Sequence, residues 1–310
     1  MGQFIARRLL WLIPTILAMS LLTFAMMHLT PGSPLQPISA NANPLPPAAQ
    51  KNLAHKYGLD KPVWQQYVIF VKNAAVLDFG YSYIYRTRKV TEILASAAPV
   101  SLELGAMAMA FAIIIGIPLG VLAAVNQNGP LDYLSTFLAT LGVAVPNFVL
   151  SIFFIVLFVI VLHILPSTGG WNGPKDWIMP AVALGLGPLG ILARYTRSSM
   201  VDVIHQDYMR TAKAKGLSGS RVIIGHAIKN GLIAPLTIIG PMFAAIGTGS
   251  FFVETIFRIP GMGRYFVDSI TARDYPMIMA VILLYGVVLA VMNLLVDLTY
   301  GVVDPRIRLS

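Results

Sequence analysis

The sequence predicts an all-α integral membrane protein with six transmembrane helices and both termini on the cytoplasmic side. Three observations carry this. The 310 residues are 56% hydrophobic and only 11% charged, against about 25% charged in an ordinary soluble domain. Charge-free runs of about 20 residues recur along the chain, the length a helix needs to cross a bilayer. Barrel strands would instead alternate apolar and polar residues in segments of about 10. Lys and Arg gather in alternate loops, which sets the orientation.

The first span is read over Leu9–Met27, the second over Ser101–Val125 and the third over Tyr133–Ile164. The third is longer than a perpendicular crossing needs, and Pro146 is placed to kink it. The fourth covers Trp177–Ala193, the fifth Leu232–Val253 and the sixth Met277–Val296. The first run follows Arg7 and Arg8 as a signal peptide would, and Ala40-Asn41-Ala42 resembles a cleavage site. Its apolar stretch is too long for that role and the small residues lie too far past it, so an uncleaved span is expected.

The chain divides accordingly. Residues 1–29 hold the first span, 30–98 form an extracytoplasmic loop, and 99–310 form a five-helix core with a cytoplasmic loop at 199–231. In the outer loop, Pro46 and Pro47 precede "AAQKNLAHKY" and Gly58 follows it, the punctuation of a short helix. Pro62 opens a second, with Val63, Tyr67, Phe70, Val71 and Ala74 on one face. That face either caps the bundle or binds a partner.

One side of the membrane collects Arg7, Arg8, Arg194, Arg197, Arg210, Lys213, Lys215, Arg221, Lys229, Arg306 and Arg308. The two short loops opposite hold Lys175, Arg258, Arg264 and Arg273. A loop as long as the first one translocates regardless of its charge, so it is left out of the count. The net charge of +9 then reflects retention of cations on the cytoplasmic side rather than nucleic-acid binding.

Several chemistries have no residues to carry them. The chain has no cysteine, which excludes disulfides, thiol nucleophiles and Cys-ligated metals. Gly-Lys occurs nowhere, so no Walker A loop cradles a nucleotide. The five histidines are scattered, without an acid at helical ligand spacing. No catalytic residue and no bound metal or cofactor is expected. Glu103, Glu254 and Asp297 fall near span ends, where pairing or snorkelling explains them. Glu103, Asn147 (after Pro146) and Glu254 are the candidates for a translocation path. Gly116-x-x-x-Gly120 and Gly247-x-Gly249 permit close helix packing.

The distinctive stretch is "DYMRTAKAKGLSGSRVIIGHAIKNG", Asp207–Gly231. Asp207 is read as the N-cap of a helix over Tyr208–Lys215, with Gly216 as its left-handed stop and Leu217 as the hydrophobic contact of that stop. Ser218 or Ser220 starts a second helix. A helix this short is marginal alone and needs something to pack against. Thr211, Ala212 and Ala214 are small, and Tyr208 and Met209 offer anchors for a partner's groove. A DNA-reading helix-turn-helix is disfavoured because spans tether both ends. A patch on anionic headgroups competes with docking of a cytoplasmic partner.

"DYMRTAKAKGL…HAIKNGLIAPL" resembles the EAA loop of ABC-importer permeases of the oligopeptide/dipeptide/nickel family. "PGSP", "YGLDKPVWQQY", "DFGYSY", "RSSMVDV", "ETIFRIPGMGR", "RDYP" and "DLTYGVVDPRIR" agree in order, from about Phe4 to Arg308. The outer loop and Trp171-Asn172-Gly173 look most like the first, oligopeptide-type subunit. The resemblance implies a type I importer fold in the cytoplasmic membrane of a prokaryote. It also implies a heterodimer with a second permease, two cytoplasmic ATPases carrying ATP and Mg, and an extracytoplasmic solute-binding protein. Short peptides are the implied substrate, with nickel chelates, glutathione-like or other small solutes as the alternative. Asp207–Leu217 becomes the coupling helix, where Arg210 stands in place of the family's Glu and Thr211 in place of its first Ala. An ATP-independent secondary transporter or channel is the reading from another class.

Overall fold

A computed structural model describes residues 2–33, 35, 47–166 and 170–303. Ala40–Ala42, Pro46, Arg306 and Arg308 lie outside the described residues. The regular structure within them is helical, with one isolated antiparallel bridge between Tyr81 and Lys89. Four helices are long and apolar enough to cross a membrane. They lie within α1 (Gly2–Leu29), α4 (Val90–Val125), α7 (Pro174–Ile204) and α14 (Tyr275–Val303). Two bent pairs meet that test only jointly: α5 (Pro130–Ala144) with Asn147–Val161, and Gly219–Gly231 with α11 (Ile233–Gly247). Counting each pair as one span gives up to six.

The helix α4 begins at Val90, well before the expected Ser101. The reason is packing. Val90, Ile93, Leu94, Ala97 and Ala98 are all buried, at helical spacing, against Met262, Tyr265, Met277 and Val281. Its 36 residues span about 54 Å, far more than the hydrocarbon thickness, so α4 is longer than a membrane crossing requires. The 98/99 domain boundary therefore falls inside one continuous helix.

The third span is broken rather than kinked. Val145 and Pro146 are extended, at φ −89°, ψ 120° and φ −57°, ψ 140°, because a residue before proline is driven out of the α region. The chain turns 101° there. The helix α6 (Asn147–Phe154) then runs on into a π-helical segment, Ile155–Val161. The fifth span is also shorter than expected. It stops at Gly247, and Gly249 at φ +111° turns the chain into α12 (Phe251–Ile256). A Cβ on Gly249 would sit 2.8 Å from the backbone nitrogen of Gly263, so this turn admits only glycine.

The centre of the bundle is the α4/α7 pair. Cβ atoms on Gly116 and Gly120 would meet the carbonyls of Leu189 at 2.8 Å and Ala193 at 2.6 Å. One on Gly185 would meet the carbonyl of Ala108 at 2.6 Å. The glycines thus let the two backbones touch, as small-residue packing in membranes requires. Around this pair, α1 packs on α14, and Arg8 near the start of α1 bonds Asp297 near the end of α14 at 2.8 Å. At the other end of α1, α3 (Val63–Ala74) lies across the bundle. Tyr67 and Phe70 pack with Phe24, Met27 and Ile278, and the Tyr67 hydroxyl lies 3.0 Å from Ser20 Oγ. That face of α3 caps the bundle. The helix α2 (Pro47–Tyr57) precedes it and ends at Gly58, φ +69°.

Candidate functional site

At the end of the bundle opposite α2 and α3, α7 hands the chain to α8 (Asp207–Ala214). The start of α8 differs from the N-cap expectation. Gln206 occupies the cap position, without a side-chain hydrogen bond, and Asp207 is the first helical residue. Its carboxylate serves the dipole at the N-terminus and sits 3.7 Å from the Arg210 guanidinium, both groups in water. An exposed pair of this kind contributes little to stability. Lys213 stands in the last turn, where the macrodipole favours a cation.

What holds so short a helix in place is its inner face. Met209 is fully buried and Ala212 is 8% exposed. They pack with Ala124 at the end of α4, Met200 near the end of α7, and Val222 and Ala227 of the following helix. Met209 is therefore an anchor to this chain's own core, not to a partner's groove. Tyr208 is likewise committed, since its hydroxyl accepts a hydrogen bond from Asn230 Nδ2 at 2.8 Å. Arg210, Thr211, Lys213 and Ala214 face outward and are exposed.

The stop is the one the sequence leads one to expect. Gly216 has φ +79°, its N–H donates to Lys213 O at 3.0 Å, and Leu217 folds onto the same cluster as Met209. Ser218 is the N-cap of the second helix, which runs from α9 (Gly219–Val222) through a π-helical turn, Ile223–Ala227, to α10 (Ile228–Gly231). The result is a basic, two-helix unit packed on the ends of α4 and α7.

Beside it lies a feature that sequence reasoning missed. Asp132 of α5 is buried and takes a two-pronged ion pair from Arg197 of α7, with Nη2 donating to Oδ2 at 2.6 Å. Asp132 also accepts the backbone N–H of Asn128 at 2.9 Å. Charge counting used Arg197 only for orientation, and Asp132 falls one residue before the expected third span, which begins at Tyr133. The signal available was the pairing of a lone acid with an arginine on neighbouring helices.

The three path candidates are separated by function. Glu103 is exposed on α4 and accepts the Trp171 indole N–H at 3.0 Å. Asn147 is half-buried at the start of α6. The next residue, Phe148, packs on Phe252 of α12 with ring centres 5.5 Å apart. Glu254 is only 1% exposed. Its carboxylate accepts Ser101 Oγ at 2.8 Å, Gly263 N at 2.7 Å and Ser250 N at 3.1 Å. Ser101 Oγ in turn accepts Met262 N at 2.9 Å. Glu254 is thus a pin joining α12, the 259–263 turn and α4, its carboxylate buried among these partners. Among the described residues, no group of three or more His, Asp or Glu side chains stands together as a metal site.

Comparison with known proteins agrees over the whole chain. Residues 116–309 match the family described as binding-protein-dependent transport system inner membrane component. Residues 1–105 match the N-terminal family of such membrane components. The dipeptide transport system permease protein of Bacillus subtilis (strain 168) is 45% identical over 309 residues, covering 100% of this chain and 99% of its own. The oligopeptide transport system permease protein of Escherichia coli (strain K12) is 42% identical, covering 99% of this chain and 100% of its own. Among solved structures, an inward-facing methionine ABC transporter aligns with TM-score 0.53 at 16% identity, over 68% of this chain and 96% of that one. At that identity it supports the fold alone.

Proposed function

This chain belongs to the family of binding-protein-dependent transport system inner membrane components, and on that premise we propose that it imports short peptides by alternating access, as one permease half of an ATP-driven transporter. It is a multi-pass protein of the cytoplasmic membrane and carries no ATPase of its own; that activity belongs to separate subunits. The observation that carries the peptide reading is full-length likeness, at 40–45% identity, to relatives named as dipeptide and oligopeptide permeases. Six crossings with both termini cytoplasmic is the matching topology, and a second, homologous permease completes the pathway. An extracytoplasmic binding protein delivers the peptide.

The coupling surface is α8 with its stop, Asp207–Leu217. Its inner face is used up on the ends of α4 and α7, so a push on its outer face moves those two helices directly. ATP and Mg act on the partner ATPases. Closure of that dimer drives α8 as a lever, and the bundle changes between discrete inward- and outward-facing packings. Nucleotide and loaded binding protein shift that population only through differential affinity for the two states. Glu103 and Asn147 are the path-facing candidates, and Glu254 supports them from behind.

Purification of the tagged chain from its native membrane, followed by reconstitution with the binding protein, tests this reading. A second permease and Walker-A subunits should co-purify, and a labelled tripeptide should enter liposomes only with ATP inside the ATPase-facing side. Uptake without ATP by the chain alone would make it a secondary transporter. ATP-driven uptake of a nickel chelate or glutathione with no uptake of peptides would keep the machinery and change the substrate.

A further inference from the structure

Coupling through α8 leaves the Asp132–Arg197 pair without a task, yet its place in the bundle is specific. The helices α5 and α7 touch backbone to backbone in one zone. A Cβ on Gly142 would collide with the carbonyl of Leu186, and one on Gly190 with the carbonyl of Ala139. Asp132 lies seven residues before Ala139, and Arg197 lies seven residues after Gly190. At 1.5 Å per residue, the pair sits about 10 Å from the crossing along both helices. Among the described residues it is the only side-chain hydrogen bond or ion pair that joins α5 to α7.

A close approach in one zone is a pivot, because two helices that touch only there can still change their crossing angle. A second tie at a distance removes that freedom. This tie is also directional. A two-pronged guanidinium–carboxylate pair fixes orientation as well as distance, and Asp132 is itself held by the Asn128 N–H at 2.9 Å. Stability alone is a poor reason for it, since a buried ion pair often does no better than a well-packed apolar pair.

The ends of the two helices give such a tie something to transmit. Arg197 stands one turn before Met200, which packs with Met209 and Ala212 of α8. At its far end α5 runs into the Val145–Pro146 break and on to Asn147 at the start of α6. We propose that Asp132 and Arg197 are positioning residues for transport. They lock the α5/α7 crossing angle, so that displacement of α8 carries the first half of the broken third span with α7, up to the break beside Asn147. The inference rests on the coupling role of α8 and names the contact by which its movement reaches α5.

The test uses the assembled importer with its binding protein in proteoliposomes, where labelled-tripeptide uptake and ATP hydrolysis are read on one preparation. Asp132→Leu with Arg197→Met, the apolar replacement, should hydrolyse ATP near the wild-type rate. It should move about fivefold fewer peptides per ATP, the lower end of a coupling between sites. Arg197→Lys keeps the charge but gives up the fork, and should lower the same ratio by a smaller factor. If the double variant is not recovered, the lysine variant decides alone. A wild-type ratio in the recovered variants makes the pair structural only and overturns the proposal. The chain has no cysteine, so with cysteine-free partners spin labels at Tyr133→Cys and Tyr195→Cys, both exposed positions, read the α5/α7 angle directly. One narrow distance, the same in resting and ATP-bound complexes, is expected with the pair intact, and a broadened one with the apolar replacement. A distance that changes between the two states with the pair intact also overturns the proposal, because α5 and α7 then move separately. Wild-type uptake with unchanged ratios in the variants removes the tie alone, whereas a wild-type complex without ATP-driven uptake removes the coupling role beneath it.

Discussion

Gly216 shows how much a single residue decides. Its φ of +79° lies where proline, fixed near −65°, cannot go. Gly216→Pro should abolish ATP-driven uptake while membrane insertion and subunit recovery stay near wild-type; normal uptake would sink the lever idea. Asp132 and Arg197 make the complementary case of a pair. Arg197→Met alone should destabilise the purified complex by about 3 kcal/mol, because a buried carboxylate loses its partner. Arg197→Met with Asp132→Leu should recover most of that in thermal melts. A double variant as unstable as the single one would mean that packing, not charge, sets the cost. Glu254→Gln should cost about 1–3 kcal/mol, since its new amide N–H₂ must face one of the donors from Ser101, Ser250 and Gly263. Of these residues, the sequence made only Gly216 legible, because a left-handed stop is a local property. The Asp132–Arg197 pair and the Glu254 pin join residues far apart in the chain, and no spacing rule announces them.

Elements behave as surfaces, and α8 has two of them. Its inner face holds Met209 and Ala212, and its outer face holds Arg210, Thr211, Lys213 and Ala214. Ala212→Glu should therefore reduce the amount of folded chain in the membrane, because it buries a charge in this chain's own core. Ala214→Trp changes only the exposed face. It should leave the chain folded and paired with its fellow permease but lower co-purifying ATPase several-fold. Equal loss of folded protein in both variants would mean that α8 has no free face. The helix boundaries, start and stop of α8 were close to legible from Asp207 and Gly216. Which face was free was not, since Met209 and Tyr208 read equally well as anchors for a partner. Likewise α4 hid its first turns, because Lys89, Glu92, Ser96 and Pro99 look like loop residues until Val90, Ile93 and Leu94 are seen to be buried.

At the scale of the molecule, packing contacts run from α8 to the ends of α4 and α7, along that glycine-tight pair, and from Ser101 of α4 to the Glu254 pin. The sequence by itself determined that this is a multi-span helical membrane protein, where its apolar runs lie, and where a short helix with a glycine stop sits between them. Those are properties of composition, periodicity and local capping, and they survive without knowledge of neighbours. The tertiary structure alone decided that Pro146 breaks a span instead of bending it, that Met209 faces inward, and that Glu254 is buried against Ser101, Ser250 and Gly263. It also decided that three distant stretches, around Tyr57, Asp78 and Tyr275, line one cavity. Each of these depends on which surface meets which, and a chain written in one dimension carries no record of its contacts across space.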